Sequence, residues 1–362
     1  MLIYCLFFLL LAVLAVEYEI RPIPKTHFIL ILIAVLLSLF AGLRGVSVSR
    51  DYEPYLGSFN AILHGGASSG LGILPLFEPA FVWIVKICFF LFTPNGAPAV
   101  MLVFAFLSMI PKTIAIHRLS FNPFLVLLLY YCHFFFFQEM TQIRNGMACS
   151  LFLLALLSYL HARYWETILY IAVAVLFHNS ALLYLLLFLI ATRRPQFLLY
   201  AALLGGGIIL GILKLPILSS LVGFDLNLVS NKLTTYVDLA DKGYMEAIRF
   251  FNVLNTLNVL ITGYLLGYAF WYKITEPRFL LFLKSNIIAL FIYGLLIDVP
   301  SMAARFSELY GATFPFLFAY GARYLPFKKF NIWAVILLAV VFFYINLFYG
   351  KLINPYSIYE FR

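Results

Sequence analysis

Apolar residues in this chain come in long unbroken runs rather than in alternation, and the runs recur from one end to the other. Many approach the ~20 residues that cross a bilayer as a helix. They predict helices over approximately 1–16, 27–43, 80–93, 98–117, 122–138, 142–160, 165–178, 180–192, 197–213, 250–271, 281–297, 308–324 and 331–349. Backbone groups in lipid must be satisfied within helices or closed barrels, and continuous runs exclude the barrel. The fold class expected is all-α: one polytopic transmembrane bundle over residues 1–362, with about 11–13 membrane helices. Two long loops interrupt the pattern, Arg44 to Pro79 and Lys214 to Arg249, and no fixed-period repeat is present.

Composition agrees. Of 362 residues, 64% are hydrophobic and 11% charged, too few charges to cover the surface of a soluble protein of this size. The opening run "MLIYCLFFLLLAVLAV" resembles a secretory signal, but no Lys or Arg precedes it and a second apolar run follows, so a first membrane helix is expected. The four cysteines (Cys5, Cys88, Cys132, Cys149) lie inside apolar runs, without C-x-x-C spacing or a neighbouring His, and read as small buried hydrophobes. No metal-ligand constellation and no cofactor motif appears.

The net charge of +9 has a topological explanation, because cytoplasmic loops of membrane proteins are rich in Lys and Arg. A nucleic-acid partner would need a basic, aromatic-interleaved soluble face, and none is visible. The basic loops at Arg163, Arg193–Arg194, Lys273–Arg278 and Lys328–Lys329 predict a cytoplasmic side. Gln142–Asn145, His178 and the loops 214–249 and 298–307 then fall on the opposite face. The N-terminal half does not close: with 17–25 cytoplasmic, four spanning helices between residues 79 and 163 would put Arg163 outside. One segment is expected to be re-entrant or interfacial, and 66–93, with Lys86 in a short apolar run, is the candidate.

Polar residues inside this apolar frame carry the chemistry. "FFFFQEMTQIRNGMACSLFLLAL" places Gln138, Glu139, Thr141, Gln142, Arg144 and Asn145 between two apolar runs. With Thr141 as N-cap, Arg144 occupies the first turn of a helix, where the macrodipole disfavours a cation by roughly 0.3–1 kcal/mol. A bound anion reverses that sign; the alternative is an Arg snorkelling to the interface. "LFHNSALL" sets His178 and Asn179 at a junction between apolar helices. A lone His there is more often structural, yet His178 is the best-suited general base in the chain. In "DVPSMAARFSELYG", Ser301 can cap a helix with Arg305 near its start, which either pairs with Glu308 or joins Arg144 on an anion such as pyrophosphate. "LRGVSVSRDYEPYLGSF" offers Arg44, Arg50 and Asp51, with Tyr52, Tyr55 and Phe59 at the spacing of a short interfacial helix. The second loop (Asp225, Asp238, Asp241, Lys242, Glu246, Arg249) is a lid candidate by position alone.

These segments, in this order, resemble the EpsG family of Wzy-type exopolysaccharide and O-antigen polymerases over roughly residues 1–325. The family's "Rg...GtDy..Y...F" aligns with Arg44, Asp51, Tyr52, Tyr55 and Phe59. Its "iRq.iA.sl" aligns with Arg144 and Ala148, its "fH.SAl" with His178, Ser180 and Ala181, and its "R...Y" with Arg305 and Tyr310. "VSRD" replaces Gly-Thr-Asp, and Asn145 replaces a Gln.

The resemblance implies a multi-pass protein of the bacterial inner membrane. Such an enzyme transfers a glycan from undecaprenyl pyrophosphate to a hydroxyl of the next lipid-linked repeat unit at the periplasmic face. It implies partners in the lipid-linked oligosaccharide, the bilayer and a chain-length regulator. His178 or Asp51 would then be the base, and Arg144 and Arg305 the cations at the leaving group. Arg50, Tyr52, Tyr55, Gln142, Asn145, Asn179 and Arg249 would bind substrate. Two other readings stay open: a lipid-linked-oligosaccharide flippase, for which the expected internal repeats are not visible, and a glycosyltransferase or acyltransferase using a membrane-bound donor, which Asp51 with Glu53 would suit.

Overall fold

The computed structural model describes residues 1–64, 77–190, 195–217, 250–324 and 328–361. Among these residues it is helical, with two isolated antiparallel bridges and no strand. Six helices are long and apolar enough to cross a membrane, and six shorter apolar helices accompany them. The protein is a polytopic helical membrane protein.

The chain forms two compact units, Met1–Leu182 with Phe318–Arg362, and Leu183–Leu317. The first contains α1 (Leu2–Ile20), α2 (Thr26–Gly42), α3 (Tyr52–Leu63), α4 (Pro79–Leu91) and α5 (Gly96–Leu119). It continues with α6 (Pro123–Tyr130), which runs through a π-helical stretch, Tyr131–Phe135, to Gln138. α7 (Ile143–Leu160) and α8 (Tyr164–Phe177) follow. The 3-10 segment Asn179–Tyr184 leads to the second unit, with α9 (Leu185–Ile190), α10 (Phe197–Leu213), α11 (Val253–Trp271), α12 (Pro277–Leu295) and α13 (Pro300–Gly311). α14 (Phe314–Tyr324) returns the chain to the first unit, which ends in α15 (Lys328–Tyr344).

Every apolar run named above carries a helix, with two differences. The run 308–324 is broken between α13 and α14, where Thr313 is buried and donates to the Tyr310 carbonyl at 2.9 Å. The aromatic residues Tyr52, Tyr55 and Phe59 do lie on one helix, but all three are buried, Tyr55 and Phe59 against α4 and Tyr52 against Tyr359, rather than spread along an interface. Residues 65–76, 191–194 and 218–249 lie outside the described residues, and with them the lid candidate and Arg249.

α4 and α5 form an antiparallel hairpin within the first unit. Phe89 abuts Gly96 near the turn, and the Phe81 ring stands 5.8 Å from that of Phe104. α3 packs along the same hairpin, since Phe59 lies about equally close to Phe81 (6.0 Å) and Phe89 (5.9 Å). The start of α4 is therefore level with the middle of α5, not with its end. At the far end of this unit, Asn122 of the α5–α6 turn donates to Ala15 O and Glu19 of α1. That end carries Arg21, Lys25, Arg118 and Arg163.

In the second unit, polar side chains tie apolar helices together. Asn286 of α12 donates to Asn258 (2.7 Å) and Thr262 (2.6 Å) of α11, and Ser285 donates to the Tyr310 carbonyl at 3.0 Å. Such bonds hold membrane helices where burial of apolar surface supplies no drive between them.

Candidate active site

Three helix ends of the first unit bring titratable groups together. Glu78 stands in the N-cap position of α4, with Pro79 at N1, where a missing N–H costs nothing. Arg144 is in the first turn of α7, and His178 ends α8 in an extended conformation (φ −155°). Arg144 Nη1 donates to Glu78 Oε2, and His178 Nδ1 stands 3.7 Å from Glu78 Oε1. The second distance is longer than a hydrogen bond, and the contact is an ion pair only when the ring is protonated. The Glu78 side chain is 4% exposed and that of Arg144 27%, so a ligand has access to the guanidinium and little to the carboxylate.

Burial alone would push the Glu78 carboxyl up. The His178 ring and the Arg144 charge outweigh it and hold the group down at about 2. The guanidinium carbon lies 5.0 Å over the Phe81 ring, and Tyr55 of α3 packs on the same ring at 6.0 Å, where its phenol acts electrostatically on the guanidinium. A planar cation between an aromatic face, a phenol and a carboxylate is fixed in orientation, while its remaining donors can still receive oxygens.

The α6–α7 turn that presents Arg144 is held from below. Thr141 does not cap α7: its hydroxyl donates back to Phe136 O at 2.9 Å, which leaves Gln142 in the cap position without a side-chain cap bond. A Cβ on Gly146 would collide with the carbonyl oxygen of Gln138, so the close approach of these two turns requires glycine there. Beneath the turn, Glu139 Oε1 accepts from Lys112 (2.5 Å), Tyr130 (2.6 Å) and Ser108 (2.8 Å), and Lys112 also donates to Gln138 at 3.0 Å. Lys112 and Glu139 are essentially fully buried. Pro111 in α5 leaves one helix hydrogen bond unmade beside this network.

The other residues singled out from the sequence are distributed as follows. Asn145 donates to Gln142 at 3.2 Å beside Arg144. Tyr52 lies one turn before Tyr55 and faces a different arginine, with Arg44 Cζ 5.3 Å over its ring. Arg44 is wholly buried on Ser49, the Ala41 carbonyl and Met101. Asp51 opens α3, and Asn179 is exposed next to His178. Arg50 is exposed and donates to the carbonyls of Gly350 (3.4 Å) and Lys351 (3.2 Å). Arg305 is half-buried on α13 of the second unit, where Val299 rather than Ser301 holds the N-cap position. Among the described residues no cluster of three His, Cys, Asp or Glu side chains could hold a metal.

Sequence reasoning missed Glu78, Lys112 and the role of Glu139. The available signal was a carboxylate against a proline at the start of an apolar run, "LFEPAFVW", and a lysine in the middle of another, both costly unless paired.

The fold and this cluster define a multi-pass membrane protein with a charged, partly accessible site at helix ends. The sequence profile of the EpsG family matches residues 27–361, and the chain belongs to that family, a Wzy-like polymerase family. Membership supports a role of the polysaccharide-polymerase type in polysaccharide biosynthesis. No curated protein and no solved structure matches the chain.

Proposed function

We propose that the protein polymerises lipid-linked oligosaccharide repeat units, transferring the growing glycan from undecaprenyl pyrophosphate to a hydroxyl of the next unit. The observation that carries this reading is the meeting of Arg144 and His178 on Glu78. Glycosyl transfer to a hydroxyl needs a base for the acceptor and a cation for the departing pyrophosphate, held close to one anomeric carbon. With Nδ1 facing Glu78, the acceptor proton is assigned to His178 Nε2, a buried atom that the entering hydroxyl has to reach. The acceptor oxygen bonds to the anomeric carbon and its proton passes to Nε2. The bond from that carbon to the phosphate oxygen breaks, and the pyrophosphate leaves toward Arg144. Glu78 sets the ring and steadies the charge it gains. The resemblance assigns Arg305 to the same reaction as a further cation and Asp51 as an alternative base. Arg50, Tyr52, Tyr55, Gln142, Asn145, Asn179 and Arg249 are assigned to substrate.

Depth supports a lipid-bound substrate. α8 has 14 residues and so rises about 21 Å, well short of ~30 Å of hydrocarbon. With the Arg163 end at the cytoplasmic surface by its basic neighbours, His178 falls in the outer half of the bilayer, a depth that a membrane-bound substrate reaches more readily than a soluble one. A soluble sugar donor would not need so recessed a site.

The surface-polysaccharide profile of a strain carrying His178→Gln tests the reading. The expected result is a polymer ladder reduced to single repeat units. Loss of every repeat unit from the cell surface would identify a flippase, and an unchanged ladder would remove His178 from the reaction.

A further inference from the structure

The segment after α15 turns back along the loop between α2 and α3. The Gly45 amide donates to Ser357 O (2.8 Å), the Tyr359 amide to Leu43 O (2.9 Å) and the Asn354 amide to Val48 O (2.9 Å). The Asn354 side chain adds a bond to Ser47 O at 2.7 Å, and Arg50 reaches over to Gly350 and Lys351. Two antiparallel bridges, Arg44 to Ile358 and Ser49 to Ile353, fix the register. A Cβ on Gly45 would collide with Ser357 Oγ, so glycine provides the seat. The Tyr356 ring stacks 4.4 Å from Phe40 and its hydroxyl donates to Phe40 O. The Tyr4 hydroxyl donates to Asn354 O at 2.9 Å, which brings the start of α1 to the same place.

Two consequences follow from these contacts. In the loop 43–50, Arg44, Gly45, Val48 and Ser49 are buried, and the tail supplies partners to the backbone of this loop. The tail is also connected to the site. Tyr359 stacks on Tyr52 (6.4 Å), Tyr52 covers Arg44, and one helical turn further on the Tyr55 ring packs 6.0 Å from Phe81, the ring over which the Arg144 guanidinium lies.

We propose that residues 351–361 are a strap that positions α3, and through Tyr55 the Arg144 guanidinium. On this proposal the tail, the N-terminus and the site share the non-cytoplasmic face. Tyr356 and Tyr359 act here as positioning residues, since neither touches Glu78, Arg144 or His178 in the contacts above. The placement of the strap is independent of the polymerase reading; only its effect on turnover rests on it.

A disulfide between Gly45→Cys and Ser357→Cys, in a Cys5→Ser background, tests the placement without any activity assay. A Cβ at position 45 would stand 3.4 Å from that of Ser357, close to the ~3.5–4.5 Å that disulfides span. The full-length protein is expected to form the bond in cells without added oxidant, because only the non-cytoplasmic side is oxidising. The single Ser357→Cys variant, at an exposed position, is expected to react with an impermeant maleimide in intact spheroplasts. The crosslinked protein is expected to polymerise as well as its reduced form. Tyr359→Ala is expected to lose roughly ten- to a hundredfold in polymerisation at unchanged protein level, the cost of a small misplacement of a catalytic group. Tyr359→Phe, which keeps the ring on Tyr52, is expected to restore it. Cysteines that stay reduced and react only with permeant reagent would overturn the placement. A crosslinked protein that is inactive until reduced, or a fully active Tyr359→Ala, would overturn the positioning role.

Discussion

Glu78 and Arg144, 66 positions apart in the chain, form an ion pair in which the carboxylate is buried and the guanidinium partly exposed. Such a pair adds little net stability, because desolvation offsets much of the attraction, but breaking it leaves a buried charge uncompensated. Its value lies in placement: it fixes a cation at the mouth of a site whose floor is neutral overall. Arg144→Ala should therefore abolish polymerisation while protein remains detectable in the membrane. Arg144→Lys should recover only part, since an ammonium cannot hold phosphate oxygens through a planar fork. Polysaccharide ladders from complemented strains read this out, and wild-type ladders from Arg144→Ala would return the residue to an interfacial role.

The depressed Glu78 carboxyl makes a statement about acid. A carboxyl at about 2 in the fold, against an ordinary value of 4.5, stabilises the folded protein at every pH above about 4.5. That pH-dependent contribution is lost as pH falls from about 4.5 to 2. Thermal unfolding of the detergent-solubilised protein should show this slope, and Glu78→Gln should flatten it. Equal acid sensitivity in the two proteins would refute the assignment.

Much of the helical frame was legible because lipid imposes one rule on every segment, and a run such as 143–160 obeys it without help from its neighbours. Arg144 and His178 were legible as polar residues in apolar surroundings, each alone. Their meeting was not, because it depends on Glu78, whose partners lie 66 and 100 positions away. The Lys112–Glu139 pair is hidden for the same reason: Glu139 reads as one of several polar residues between two apolar runs, and its partner lies 27 positions away on α5. Arg50 shows the converse. Its charge suggested substrate, whereas its guanidinium rests on tail carbonyls 300 residues away, a contact with no local signature.

Lys112 and Glu139 predict a non-additive pair. Lys112→Met leaves a buried carboxylate and should destabilise by about 3–5 kcal/mol, and Glu139→Gln alone should leave a buried ammonium with a similar cost. The double variant should recover most of the loss, because the remaining groups are neutral. Thermal midpoints and membrane yields of the four proteins would show it. Strict additivity would mean that the two charges are not coupled.

Asn179 gives a reading of sidedness. It is exposed and adjoins His178, so Asn179→Cys should react with an impermeant maleimide from the non-cytoplasmic side. A cysteine at Ala162, in the turn between α7 and α8, should react only after the cytoplasm is opened. The reverse pattern would invert the orientation drawn from Arg21, Lys25, Arg118 and Arg163.

His178 separates chemistry from architecture. Gln at this position keeps a polar group at the end of α8 and a donor for Glu78, so the junction with the 3-10 segment should persist. It cannot take the acceptor proton. The turnover rate with a lipid-linked repeat unit should fall by about 10²–10⁴, the usual contribution of a positioned base. The half-saturating substrate concentration should stay near wild type, because Arg144 and Tyr55 remain in place. Glu78→Gln should give a smaller fall in the same parameter, since it loosens the ring without removing it. If His178→Gln instead raised the half-saturating concentration at unchanged turnover, the imidazole would be a binding group, and the base would have to be sought at Asp51.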